Sequence, residues 1–397
     1  MPSAMPLGRR PVPPGRRPVW AEVDLGAVRR NAEILARLAG PARLCAVVKA
    51  GAYGHGAVEA ARAAVAGGAS WLGVALVEEG AHLRAEGVDT PILVLSEPTH
   101  AAMADVHALD LTPTVYTPAG VEAAAKAVVA AEDRRPLAVH VKVDTGMHRV
   151  GAAPADAVSV ARAVAERGEL RVAGLWTHFA VADDPDDPFT ATQDARFRDV
   201  AGEVAAALAA LGALPPLLHA ANSAACIAHP GTRHDLVRCG IALYGAPPAP
   251  ALAGRVDLRP ALSLCARVSH VKRVAAGEGI SYGLRYRTAR PSVVATVPIG
   301  YADGVPWRLG VTGGEVLIRG RRRPIAGRVT MDQLTVDCGE DDVSPDDEVV
   351  LLGRQGDESI DAWEWAGRVG TIAYEIVSGI GPRVPRTYTS SSPAGPI

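Results

Sequence analysis

From residue 25 to about residue 245 the chain alternates between two textures, and that alternation limits the fold more than any other feature. Short β-branched and apolar runs occupy 43–48, 71–76, 91–95, 114–116, 137–143, 172–176, 216–219 and 236–243. Between them lie Ala-rich, charge-dotted stretches of helical period, such as 57–66, 120–131, 154–167 and 193–211. Alanine has the highest intrinsic helix preference, and Pro154 suits a first helical turn, where its missing N–H loses no bond. Repeated strand–helix alternation predicts a parallel sheet, because each helical crossover returns the chain to start the next strand in the same sense. Eight such units fit a closed eight-fold barrel of about 250 residues. A doubly wound open sheet shares the texture, but no GxGxxG follows the first run. The fold class expected is therefore α/β, an N-terminal (β/α)8 barrel of the TIM type.

Beyond residue 250 the texture changes. The segment Ala246-Pro-Pro-Ala-Pro250 reads as a linker, followed by strand-like runs at 262–273, 292–298, 314–318, 334–336 and 348–352, with one helical stretch at 360–377. This predicts a C-terminal, mostly β domain. The expected organisation is a disordered leader at 1–17, a barrel at 18–250 whose first strand is free to pack on the second domain, a β domain at 251–388 and a flexible tail at 389–397. The leader carries two pairs, Arg9-Arg10 and Arg16-Arg17, but charged Glu22 and Asp24 arrive where a twin-arginine signal needs an apolar stretch.

Composition then excludes several functions. The 397 residues are 48% apolar, enough for a large core, and 41 basic against 43 acidic side chains leave a net charge of −2. That balance offers no basic field to nucleic acid or anionic lipid. No apolar run reaches the ~18 residues of a membrane helix. Five scattered cysteines without CxxC spacing fit a reducing compartment better than a disulfide framework. A cytoplasmic enzyme acting on a small molecule is the expectation, with no nucleic-acid or membrane partner.

In a barrel the site lies where the C-terminal strand ends converge. The first run closes on Lys49, within Cys45-Ala-Val-Val-Lys49-Ala-Gly-Ala-Tyr53-Gly-His55-Gly. A poorly hydrated lysine there loses its proton more readily and can form a Schiff base with an aldehyde. Equally, it can snorkel into a solvated loop. Later runs end in Lys142-Val-Asp144-Thr-Gly-Met-His-Arg149, in Thr177-His178, in Asn222-Ser223 and in Arg238-Cys-Gly240-Ile241. Ser223 and the glycine at 240 suit a phosphate, as loops after strands seven and eight often do; Ser223 also suits a helix N-cap. In the β domain, Tyr301 sits in the Gly-flanked turn Pro298-Ile-Gly300-Tyr301-Ala-Asp303-Gly304, fit either for a base or for packing at a seam.

Together these segments, with SYG, GRVTMDQ and RVPRTY in the same order, closely resemble the alanine racemases over residues 18–388. The resemblance implies a pyridoxal 5'-phosphate enzyme with a barrel and a β domain, working as a head-to-tail homodimer with shared active sites. Lys49 would hold the cofactor and serve as one acid–base group, on the D face. Tyr301 of the other subunit would serve the opposite face. Arg238 would face the pyridine nitrogen and His178 would lie near the ring. Tyr53, Ser223, Gly240, Ile241 and Tyr374 match phosphate-holding positions. Arg149 and the Met331 backbone match groups that grip the substrate carboxylate, with Asp332 beside them. Lys142 matches a lysine that is carbamylated in many members.

This chain departs from the pattern in three places. Gly51 replaces the usual Asn or Asp before Ala-Tyr-Gly-His-Gly, Thr330 replaces a cysteine, and Arg285 and Arg287 add charge to an entrance-side segment. None of these is expected to alter the Lys49/Tyr301 pair itself. The reaction implied is interconversion of L- and D-alanine, supplying D-alanine for peptidoglycan. The alternatives are a racemase for serine or a broader set of small amino acids, a decarboxylase of the same architecture, and a cofactor-carrying barrel without turnover. Arg238 argues against the decarboxylase, which needs an acidic group at the pyridine nitrogen, and the β domain with Tyr301 argues against the carrier.

Overall fold

A computed structural model describes residues 17–390; residues 1–16 and 391–397, most of the expected leader and tail, lie outside it. Two compact units divide the described chain. One is Ala27–Arg259, and the other joins the N-terminal segment through Gly26 to everything from Pro260 onward.

The chain opens with β1 (Val19–Asp24), which belongs to the second of these units. The unit Ala27–Arg259 is the barrel. Its strands are β2 (Arg43–Val47), β3 (Ala69–Val74), β4 (Ile92–Val94), β5 (Leu111–Val115), β6 (Leu137–Lys142), β7 (Leu170–Trp176), β8 (Leu217–His219) and β9 (Leu236–Cys239). The order is β8-β7-β6-β5-β4-β3-β2-β9, with every pairing parallel. Asp235 N–H to Leu218 O (2.9 Å) and Arg238 N–H to Ala221 O (2.9 Å) nearly close the ring between β8 and β9. Every residue of β4, β5 and β9 is buried, because inner faces pack the barrel core and outer faces carry helices. The helices start where the sequence says they can. Pro154 and Pro118 occupy first-turn positions, and the Thr117 hydroxyl caps Pro118–Ala130 by accepting from Gly120 N–H at 2.9 Å.

In the second unit, Val19, Trp20, Ala21 and Val23 of β1 are fully buried, the mark of a central strand. β1 pairs antiparallel with β10 (Leu262–Arg267) and parallel with the last strand, Arg386–Thr389. The first and last described strands thus lie side by side in one sheet, which continues through Glu348–Gln355 and Glu315–Ile318 to Arg321–Pro324. The run expected as one strand at 262–273 is two, since the chain leaves this sheet after Arg267 and enters another at His270–Val274. The helical stretch expected at 360–377 is likewise two helices, Ala362–Val369 and Ala373–Ser378. Gly370 at φ 79° ends the first in a left-handed cap that a side chain would resist. The boundary between units falls at Arg259/Pro260, not at 250. Arg17, placed in the disordered leader by sequence, is ordered against Asp303.

Candidate active site

Five barrel strands end in polar side chains. Lys49 follows β2 and opens a turn of unusual hand: Ala50, Gly51, Ala52 and Tyr53 have φ of 52°, 60°, 56° and 53°. For L-residues each such position costs roughly 1–2 kcal/mol, so the three non-glycine residues here must be held by their surroundings. The holding bonds are visible. Ala52 N–H reaches Val48 O (2.8 Å), Gly54 N–H reaches Ala50 O (3.0 Å), and His55 Nδ1–H is shared by the carbonyls of Ala52 and Tyr53 (3.0 Å each). Gly51 fits here without strain, which accounts for that departure locally.

Glu79, which sequence reasoning passed over, braces the turn from outside. One carboxylate oxygen accepts Ala50 N–H at 2.6 Å; the other accepts Ala75 and Leu76 N–H at 2.8 and 3.2 Å. The signal was present as a Glu at the third position of the helix Val77–Ala85, but its reach back to residue 50 is tertiary. The Lys49 amine is half-buried, and its pKa is lowered by that burial and then by Arg149, with Glu79 opposing.

Arg238, on β9, lies fully inside the barrel mouth. It donates to His219 Nδ1 (2.9 Å), Thr177 O (2.7 Å), Ala220 O (2.9 Å) and His178 Nδ1 (3.3 Å), and its guanidinium stacks 4.5 Å over Trp176. A guanidinium has no acceptor atoms, so His219 must accept at Nδ1 and carry its proton on Nε2. That proton points at His140 Nδ1, 2.9 Å away. Burial and the Arg238 charge keep both histidines neutral, His140 down to about 3. Burial lowers Arg238 itself to about 10, which leaves it a cation at neutral pH. Among the described residues its Nε–H has no acceptor, and no carboxylate pairs with it. The four bonds use only Nη1 and Nη2, so the Nε–H remains open to a ligand. Gln193, a fully buried side chain of Phe189–Ala210, holds the His178 loop through His178 O (3.1 Å) and Ala180 N–H (2.8 Å).

A second donor set gathers at Gly240. Ser223 Oγ accepts Gly240 N–H at 2.9 Å, and a Cβ built on Gly240 would sit 2.3 Å from the Tyr53 hydroxyl. Glycine is required for that close approach. Burial pushes Tyr53 up to about 12, so its hydroxyl stays a proton donor. Ile241 opens the next turn. Asn222, not Ser223, caps the helix Ser223–Ala228, its side chain accepting Ala225 N–H at 2.9 Å. The Ser223 hydroxyl is thereby freed from the capping role that sequence allowed.

Lys142 ends β6 almost fully buried, its Nζ 4.4 Å over Trp176. Among the described residues no carboxylate pairs with it. Burial, then Arg238 and Arg149, pull its pKa down to about 7. Arg149 is exposed at the end of a loop shaped by Asp144, whose carboxylate accepts Gly146 and His148 N–H at 2.9 and 3.0 Å.

The remaining expected residues lie in the other unit. Tyr301 and Met331 are brought together there: Tyr301 N–H donates to Thr330 O (3.0 Å) and Ala302 N–H to Met331 O (3.1 Å). Thr330 closes its own loop through Oγ1–H to Gln333 O (2.8 Å), turning Met331 outward. Tyr301 and Met331 are 43% and 53% exposed, which makes both available to something outside their own unit. Tyr374 lies on the helix Ala373–Ser378.

A parallel barrel that presents a half-desolvated lysine, an open buried guanidinium and a hydroxyl-lined glycine cradle defines a lysine-armed barrel enzyme carrying a separate β domain. Comparison gives the family. Residues 23–248 match the family model for the alanine racemase N-terminal domain, and residues 261–388 match that for the C-terminal domain. An alanine racemase of Symbiobacterium thermophilum is 48% identical over 94% of this chain and 98% of its own; one of Thermobifida fusca is 44% identical over 94% and 98%. The crystal structure of alanine racemase from D-cycloserine-producing Streptomyces lavendulae covers 95% of this chain and 98% of its own, with TM-score 0.88 at 42% identity. That of alanine racemase from E. faecalis covers 96% and 100%, with TM-score 0.85 at 40% identity. The chain belongs to the alanine racemase family and is an isomerase.

Proposed function

We propose that this protein interconverts L- and D-alanine with pyridoxal 5'-phosphate, as a cytoplasmic homodimer that supplies D-alanine for peptidoglycan. The observation that carries the reading is Arg238. A buried guanidinium with an unused Nε–H suits a neutral pyridine nitrogen, because it offers a hydrogen bond without giving up its proton. The donors at Gly240, Ser223, Tyr53 and Ile241 suit a phosphate, and Tyr374 completes the set expected from the family. Bound pyridoxal phosphate supplies an aldehyde for the substrate amine and withdraws electrons from the Cα–H bond.

The chain supplies the rest. Lys49, with its lowered pKa, takes or returns the Cα proton on one face. Tyr301 of a second copy does so on the other, since inversion needs an acid–base group on each side. Arg149 and the Met331 N–H grip the carboxylate. The exposure of Tyr301 and Met331 supports the head-to-tail dimer. His178, held beside Arg238, orients the guanidinium. The deciding assay incubates the purified holoenzyme with L-alanine, L-serine and basic amino acids, followed by chiral chromatography. D-alanine as the main product is expected. D-serine in equal yield favours the broader racemase, and release of CO2 or an amine overturns racemisation altogether.

Lys142 carries a second part of the reading. A neutral amine among Arg238, Arg149 and Lys49 is set to add CO2, and the resulting carbamate is an anion that orients Arg149. Its pKa is depressed relative to the unfolded value. The unmodified fold therefore binds fewer protons between pH ~7 and ~10.5, gains stability as pH rises through that window, and bears the full charge penalty below it. Lys142→Met, which removes the charge, is expected to be more stable than unmodified protein at pH 6, by roughly 2–5 kcal/mol in denaturant melts. The same variant raises the KM for alanine about tenfold, near 1.4 kcal/mol of lost carboxylate grip. Native mass spectrometry of the wild type above pH 7 is expected to show one added CO2, lost on acidification. An unmodified mass with unchanged KM in Lys142→Met would sink the carbamate.

A further inference from the structure

We propose that Arg17, with Asp303 and Arg383, is a positioning residue that sets Tyr301 and Met331 for the reaction. The inference deepens the reading above and rests on it. Tyr301–Asp303 forms a single tight turn, and Asp303, its last residue, is completely buried. One Asp303 oxygen accepts Gly300 N–H (3.0 Å) and Arg17 Nη1–H (2.9 Å); the other accepts Arg17 Nη2–H (2.6 Å) and lies 3.3 Å from Arg383 Nε. Arg383 turns its other end to Asp332, with Nη2 to Oδ1 at 2.7 Å, next to Met331. The guanidiniums of Arg17 and Arg383 thus grip Asp303 from the two ends of this unit's chain, one just before β1 and one just before the final strand.

The arrangement leaves the turn no freedom. A Cβ on Gly300 would lie 2.2 Å from Thr330 O, and one on Gly304 (φ +109°) would lie 2.3 Å from Gly379 O. Gly381 N–H also donates to Asp303 O at 3.0 Å. Tyr301 and Met331 therefore move as one body, and its orientation follows the Asp303 carboxylate. A buried carboxylate is stable only when paired, and a bidentate fork fixes its plane as well as its charge. Lysine at position 17 would keep the charge and lose the fork. Arg17, Asp303 and Arg383 do not touch substrate, so their effect must pass through Tyr301 and Met331.

A purely structural role and a positioning role predict different measurements. The full-length holoenzymes Arg17→Lys and Arg17→Met are compared with wild type for cofactor content, melting temperature, kcat and the α-deuterium isotope effect on L- and D-alanine separately. Positioning predicts unchanged cofactor content, kcat down about tenfold in Arg17→Lys and about a hundredfold in Arg17→Met. It also predicts an isotope effect that rises for L-alanine, whose proton Tyr301 removes, while that for D-alanine falls, because return of the proton by Tyr301 becomes limiting there. An activity loss that merely tracks the unfolded fraction, or isotope effects that are unchanged or shift equally for both substrates, overturns the proposal. Absence of racemisation in the wild type would instead defeat the functional reading on which it stands.

Discussion

Lys49→Ala is expected to reduce racemisation by at least about a thousandfold, the range for loss of a positioned acid–base group. It is also expected to abolish covalent capture of the cofactor. Borohydride reduction followed by peptide mapping reads the second effect directly: the wild type carries a reduced pyridoxyl group on the peptide containing Lys49, and the variant carries none. The fold should survive, because the left-handed turn is held by Glu79 and by backbone bonds that do not involve the Lys49 side chain. The same amine sets an acid limb. Freed from the cofactor once substrate is bound, the amine has a pKa lowered by burial, so kcat should rise with pH through a value below that of an ordinary lysine. A label that persists in Lys49→Ala, or an acid limb at the ordinary lysine position, removes Lys49 from the centre of the mechanism.

Tyr301→Phe is the second large effect. The ring remains and only the hydroxyl goes, so stability should hold while racemisation falls by about two to four orders of magnitude. Exchange of the D-alanine α-proton through Lys49 should survive the change, whereas exchange of the L-alanine proton should not. Because Tyr301 is expected to act across a two-fold, two inactive variants should complement each other. Mixing and reassociating Lys49→Ala with Tyr301→Phe restores one complete site in each heterodimer, roughly a quarter of wild-type activity at equal amounts. No recovery on mixing, with reassociation verified, would place both groups on one chain or exclude Tyr301.

Much of the barrel is legible in the amino-acid order, and particular residues show why. Its eight apolar runs are strands within a few residues of where periodicity places them, because strands covered on both faces and Ala-rich helices each write their own pattern. The β domain is less legible. Its expected strand at 262–273 is two, and the expected helix at 360–377 is broken at Gly370, since short β-rich segments change sheets without changing composition. Among the site residues, those at strand ends can be found by asking what closes each apolar run. Glu79 and Asp303 cannot: a carboxylate at a helix start and an acid in a turn look ordinary until a distant partner is known.

The amino-acid order by itself determined the barrel, the appended β domain, the polar residues at the strand ends and the family, because period, propensity and local motifs are properties of neighbours along the chain. Tertiary structure alone decided that the opening strand belongs with the closing one, that Arg17 grips a buried carboxylate 286 residues away, and that Arg238 keeps one donor open while setting the tautomers of two histidines. Desolvation, hydrogen-bond direction and charge proximity depend on which groups meet in space, and sequence separation carries no record of that meeting.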